Sequence, residues 1–225
     1  MSDSAEVHLW GRMIGAASLD EGVPAVVFQY DPAFARSAIQ VAPRHFMTKR
    51  FDRPTGNAKL HLQSLGAIAH YDFNQAGAYS YEQAMMTIRR LGLSMGDVEQ
   101  QFRRMAFNIV ARNQDDHVKN IAFLMDQGGR WSLAPAFDVT FAYNSSGDWT
   151  AQHQMTLNGR RDGFNIEDFE HCADAVSMKR GRAATIVEEV REAVAEWPVH
   201  AEAAGVDQGD IARIGSAHRQ TLTRR

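Results

Sequence analysis

The sequence predicts an α+β protein: a small N-terminal antiparallel β subdomain followed by a mainly α-helical body that contains one β-hairpin. Three observations predict this. Short apolar runs separated by turn signals fill Glu6 to Tyr30, helical periodicity dominates after Leu60, and "IAFLMDQGGRWSLA" sets two apolar runs around a Gly-Gly turn. At 225 residues the chain can form one sizeable domain or two small ones, and 44% hydrophobic with 23% charged residues predicts a buried core. The division is placed at residues 1–45 and 46–225.

In the first part, Val7 and Leu9, then Ile14 and Ala16, then Val27, Phe28 and Tyr30 mark strands, with breaks at Gly11, "DEG" and Pro24. Residues 30–43 read as a turn and linker ending at Pro43, followed by a short strand from His45 to Phe51 and a loop at Pro54 to Asn57. Leu60 to Tyr71 reads as a first helix. "SYEQAMMTIRRLG" is a second, with Ser80 as N-cap and Gly92 just past its end. In the third, Val98, Phe102, Met105, Ala106, Ile109 and Val110 recur at three- and four-residue intervals, the mark of one buried helix face. Asn165 to Asp174, Ser177 to Glu196 and Asp207 to the C-terminus complete the helical set.

Composition narrows the function classes. A formal charge of −3 gives no global attraction to nucleic acid or anionic lipid. Cys172 is the only cysteine, which excludes an intramolecular disulfide or a cysteine-rich zinc site and fits a reducing compartment; it reads as a small buried apolar residue. The N-terminus lacks the pattern of a signal peptide, and no apolar stretch reaches the roughly 20 residues a membrane span needs, so a cytoplasmic protein without membrane contact is expected. His61, His70, His171 and His200 lie far apart without metal-ligand spacing and read as surface or packed residues.

The chemistry-bearing stretch is "NQDDHVKNIAFLMDQGGRWSLAPAFDV", Asn113 to Val139. "NQDDH" is too polar to continue the helix before it, so Asp115, Asp116 and His117 lie on a loop. With a two-residue turn at Gly128-Gly129, Gln127 faces Arg130, and counting outward sets Asn120 opposite Phe137, one residue from Asp138. A longer turn would slip this pairing by a residue or two and still leave the groups close. An Asp, an Asn five residues later and a further Asp past a hairpin suit phosphoryl transfer from ATP: Asp115 takes the acceptor hydroxyl's proton, and Asn120 and Asp138 hold Mg2+. The Asp115 to Asn120 step matches the kinase pattern H-R-D-L-x-x-x-N, and "AFDV" stands where D-F-G would, with Phe137 before the Asp. Lys119 between them suits a phosphate oxygen. Acidic flanks of a surface hairpin are the competing reading.

The combination of "NQDDHVKNIAFL", "WSLAPAFDV", "KRFDR", "LHLQSLGAI" and the opening "VHLWGRMIGAASLDEG" resembles the HipA-type serine/threonine kinase toxins of bacterial toxin–antitoxin systems. The resemblance implies a protein-kinase-like C-lobe with Asp115 as catalytic base and Asn120 and Asp138 as magnesium ligands. It also implies that Arg50 and Phe51, in the strand joining the lobes, pack the adenine of ATP. His117 and Lys119 match motif positions of less defined role. The implied substrate is a protein serine or threonine, on an aminoacyl-tRNA synthetase in much of the family. The implied partner is a helix-turn-helix, HipB-like antitoxin, through which DNA is met only indirectly.

The chain departs from the family in one respect. "DPAFARSAIQVAP" runs almost directly into "RHFMTKRFDR", where the family carries a flexible phosphate-binding loop and an ATP-pairing lysine. "GRMIG" fits no phosphate-loop pattern, and Lys49, Lys59, Lys119 and Lys179 are the only lysines. Two functions are therefore expected to compete: an ATP-dependent serine/threonine kinase toxin, and an inactive kinase-fold remnant that binds an antitoxin or another partner.

Overall fold

A computed structural model of the chain describes residues 3–9, 12–19, 27–30, 32, 50–54 and 58–224. The chain divides into two compact units, Met1–Phe51 and Asp52–Arg225. In the first, β1 (Asp3–Leu9), β2 (Arg12–Leu19) and β3 (Val27–Tyr30) form an antiparallel sheet in chain order, with an irregularity in the β1–β2 register between Val7 and His8. This is the expected β segment. The expected strand from His45 to Phe51 differs where it is described: Arg50 has no regular structure and Phe51 lies in a turn, and residues 45–49 lie outside the described residues.

The second unit begins with a difference from expectation. Leu60 to Tyr71 is not one helix: β4 (His61–Ser64) pairs antiparallel with the first hairpin strand, and only α1 (Leu65–Ala69) is helical. Ser64 ends the strand and caps the helix, its hydroxyl accepting from the Ala67 N–H at 3.2 Å. The hairpin strands β5 (Ala122–Met125) and β6 (Trp131–Leu133) complete a second sheet in the order β4-β5-β6. Trp131, on β6, meets the His61 ring of β4 edge-on at 6.0 Å.

Helices α2 (Tyr81–Arg90) and α3 (Met95–Val110) start at full capping boxes, Ser80 with Gln83 and Ser94 with Asp97. Gly92 follows α2 at φ +75°, and the Gly92 and Leu93 N–H groups donate to the Arg89 and Ile88 carbonyls, closing the helix in a Schellman motif. Three helices follow α4 (Ile166–Ala175, capped by Asn165): α5 (Arg182–Ala195), α6 (Trp197–Ala203) and α7 (Gln208–Ala217). The helix expected from Ser177 starts five residues later, because Ser177 and Gly181 both take positive φ. That expected from Asp207 to the C-terminus stops at Ala217. Among the described residues there are seven helices, none of them long and apolar enough to cross a membrane.

The core forms around α3, which packs chiefly on α5. Val98, Phe102, Met105, Ala106, Ile109 and Val110 are all fully buried, as their spacing predicts. Arg103 and Arg182 tie the two helices at the rim, to Glu189 at 2.5 Å and to Glu99 at 2.8 Å. Cys172 is buried beside Met85, and burial pushes its thiol far above the usual range. The positions of α3, α1 and the second sheet matter most for function, because the loop from Ala111 to Ile121 runs between them.

Candidate active site

The loop starts where α3 is stopped. Arg112 sits at φ +61°, a conformation disfavoured for any residue but glycine, and the Asn113 N–H donates back to the Asn108 carbonyl at 2.9 Å. The free carbonyls of Ile109 and Val110 are taken by Arg219, from its Nη1 and its backbone N–H, both at 2.8 Å. The Arg112 guanidinium lies over the Tyr143 ring and donates to the Ala217 carbonyl and to Gln114 Oε1.

From there burial alternates. Gln114, Asp116 and Val118 are buried, whereas Asp115 and His117 are partly exposed and Lys119 is exposed. From Gln114 to His117 every second side chain is thus turned outward, and the turn at 118–119, closed by the Asn120 N–H on the His117 carbonyl at 2.9 Å, exposes Lys119. Asp115, His117 and Lys119, the three outward residues, are all among those singled out from the sequence. The imidazole of His117 approaches the Asp115 carboxylate at 3.9 Å, and the Lys119 ammonium sits 3.2 Å from the centre of the Phe73 ring.

The inward residues hold the loop. Asp116 is the main anchor: Oδ1 accepts from the Gln154 N–H at 2.7 Å, and Oδ2 from the Tyr81 hydroxyl at 2.5 Å and His153 Nδ1 at 2.7 Å. Burial pushes its carboxyl up, but the His153 ring and these hydrogen bonds overcome that and hold it below the usual value; burial first, and then this carboxylate, push the Tyr81 hydroxyl well up. On the far side, α1 presents its first amides to the loop, Leu65 N–H to the Ile121 carbonyl and Gly66 N–H to the Val118 carbonyl. Glycine fits closely at 66, where a Cβ would lie 3.2 Å from a Val118 methyl and 3.3 Å from the Tyr71 carbonyl, so that these neighbours would have to give by a few tenths of an ångström. Gly66→Ala is expected to destabilise by up to about 2 kcal/mol. Overpacking costs about 1–3 kcal/mol and helix propensity returns about 1; a lower urea midpoint at unchanged slope is the readout.

Asn120 closes the loop, its Nδ2 donating to the Asp115 carbonyl at 2.9 Å. That bond uses the amide nitrogen and leaves Oδ1 available as an acceptor. The hairpin register is one residue off the two-residue-turn count: Phe123 pairs with Leu133, and Asp126 faces Arg130 across a three-residue turn, Gln127 to Gly129. The Asp126 carboxylate accepts from the Gly128 and Arg130 N–H groups and binds the Arg130 guanidinium, and Gly129 takes φ +78°. Despite the slip, Asn120 and Asp138 line one cleft of about 270 Å³, together with Phe107, Asn113 and Phe137. Asp138 is exposed and sits at φ +53°, so its local backbone is strained at the point where a functional role was expected.

The donor set suits magnesium. Asn120 and Asp138 offer hard oxygen atoms, and among the described residues no group of three or more His, Cys, Asp or Glu is placed to hold a metal. Magnesium is commonly bound by one or two protein carboxylates together with substrate phosphates, not by an all-protein cage. Arg50, exposed, and Phe51, half-buried, end the first unit.

Comparison with known families decides the kinship. The HipA-like C-terminal domain matches residues 29–197, well over half of the chain. The chain belongs to this family. No curated protein matches this HipA-like chain. Among solved structures it is similar to a chain of the Shewanella oneidensis MR-1 toxin–antitoxin complex of HipA, HipB and operator DNA, with a TM-score of 0.63 at 12% identity. The match covers 96% of this chain and 61% of that one, so the HipA-like chain spans about three fifths of its structural neighbour. The shared fold is α+β, as the sequence predicts.

Asp116, His153, Arg219 and Gly66 carried no assigned role in the sequence reading. The second Asp of "QDDH" is the local signal for the first of them. His153 and Arg219 are joined to the loop across 37 and 105 residues, which no local pattern marks.

Proposed function

We infer that this HipA-like chain is built for ATP-dependent, Mg2+-dependent phosphoryl transfer to a protein serine or threonine, as the toxin of a toxin–antitoxin pair. The observation that supports this best is the loop's alternation, which turns Asp115, His117 and Lys119 outward while Asn120, its amide locked, shares a cleft with Asp138. In this reading Asp115 accepts the hydroxyl proton, and Asn120 Oδ1 and the Asp138 carboxylate hold the metal, which neutralises phosphate charge when bound. Lys119 reaches a phosphate oxygen only by leaving the Phe73 ring. That contact is worth about 0.5–1 kcal/mol at an exposed site, less than the roughly 1.5–3 kcal/mol of a hydrogen bond to a charged group. Arg50 and Phe51 are kept as the adenine contacts. A HipB-like antitoxin is proposed as partner, because the structural neighbour is a complex of HipA with HipB and operator DNA. An aminoacyl-tRNA synthetase as target rests on the family resemblance alone.

A second reading, a partner-binding module without catalysis, is favoured by the absence from the sequence of any phosphate-loop pattern. Correct placement of reactants is worth about 7–11 kcal/mol, so an unheld triphosphate would cost most of the rate. Calorimetric titration with ATP and Mg2+ separates the two. Micromolar, Mg2+-dependent binding that Asp138→Ala weakens at least tenfold supports the kinase. No ATP binding, with equal growth of cells expressing wild type and Asp138→Ala, supports the module.

A further inference from the structure

Both chain neighbours of Asp115 are buried, and both lead to one side chain more than a hundred residues away. Gln114 Oε1 accepts from Arg219 Nη2 at 3.2 Å. Asp116 Oδ2 accepts from His153 Nδ1, and His153 Nε2 meets Arg219 Nη1 at 2.9 Å. A guanidinium only donates, so His153 Nε2 must accept and the ring carries its proton on Nδ1, aimed at Asp116. Arg219 is itself fixed by Asp162 at 2.5 Å and by the Ile109 and Val110 carbonyls that end α3. The direction of donation is therefore set along the whole relay, Arg219 to His153 to Asp116.

We propose that Arg219 is a positioning residue for the phosphoryl-transfer loop: through Gln114 on one side and the His153–Asp116 relay on the other, it sets the direction in which the Asp115 carboxylate points. The proposal rests on the kinase reading for its catalytic consequence and stands on the network for its structural one. Arg219 touches neither the cleft of Asn120 and Asp138 nor the outward face of the loop. Its loss should lower turnover and leave nucleotide affinity unchanged.

The experiment uses the full chain and the Arg219→Ala variant, with Asp162→Asn as a control that removes the outer ion pair and spares the relay. Long-range 1H–15N spectra read the His153 ring, and amide exchange reads residues 114–120 against the core helix α5. The expected result is a single Nδ1–H tautomer in wild type and in Asp162→Asn. In Arg219→Ala the expected result is mixed tautomers, with amide exchange in 114–120 at least tenfold faster while α5 keeps its protection. With activity present, kcat falls at least tenfold in Arg219→Ala, KM for ATP stays within twofold, and added guanidinium ion restores part of the rate. An unchanged tautomer and unchanged loop exchange in Arg219→Ala would overturn the proposal, as would a rise in KM at constant kcat. Wild type without kinase activity would end the kinase reading, and the two spectroscopic readouts would still decide the network.

Discussion

Asp115→Asn is expected to slow phosphoryl transfer to a protein hydroxyl by about 10²- to 10⁴-fold, the range that a positioned general base contributes. Stability should barely change. The Asp115 side chain is 48% exposed and its ionic neighbour His117 is 3.9 Å away, while Asn120 holds the backbone carbonyl of residue 115 and not its carboxylate. A surface change of this kind stays within about 0.5 kcal/mol, which is roughly 2 °C in the unfolding midpoint of a chain this size. Radiolabel transfer from ATP together with a thermal melt is the measurement. Transfer at the wild-type rate would remove Asp115 from the chemistry, and a large drop in the midpoint would mean that any loss of rate reflects unfolding.

Its neighbour should behave in the opposite way. Asp116→Ala deletes an acceptor that is fully buried and leaves the Tyr81 hydroxyl, His153 Nδ1–H and Gln154 N–H without partners. Removing one member of such a buried polar group costs about 3–5 kcal/mol, a large share of the 5–15 kcal/mol that holds a typical domain together. Urea denaturation at neutral pH should show it directly. The pH dependence carries a definite sign. The Asp116 carboxyl is held below its ordinary value of 3.8 in the folded protein, so its contribution is present above that pH and is lost as pH falls through the lower, folded value. Unfolding midpoints of wild type and Asp116→Ala should therefore converge only below about pH 3.8. Convergence already near pH 6 would show that another group carries the stabilisation.

How much of this could be read from the sequence depends on how local each interaction is. Ser80 with Gln83, Ser94 with Asp97 and the apolar face of α3 are local, and they settle those helices before any partner is considered. The stretch from His61 to Ser64 misled because its residues tolerate a helix, and only the pairing with β5, some sixty residues on, makes it a strand. The hairpin register slipped because the Asp126 side chain captures two turn amides, a choice of turn that the Gly-Gly pair leaves open. At the candidate site, the outward residues stood out in the sequence because the kinase pattern specifies residue types at a set spacing. The relay beneath them was not, since neither His153 nor Arg219 resembles an active-site residue until the chain is folded.

The same relay has a consequence for the chain's synthesis. Gln114 leaves the ribosome 105 residues ahead of Arg219. At about 5–20 residues per second, the loop spends roughly 5–20 s as nascent chain before its far tether exists. Through that interval Asp115, Asn120 and the hairpin can be in place with the loop held only by its nearer anchors, such as Tyr81 on Asp116 and Arg112 on Gln114. The relay thus makes translation through residue 219 a condition for the full set of tethers, and a chain cut short of that residue would carry the motif with only its nearer anchors.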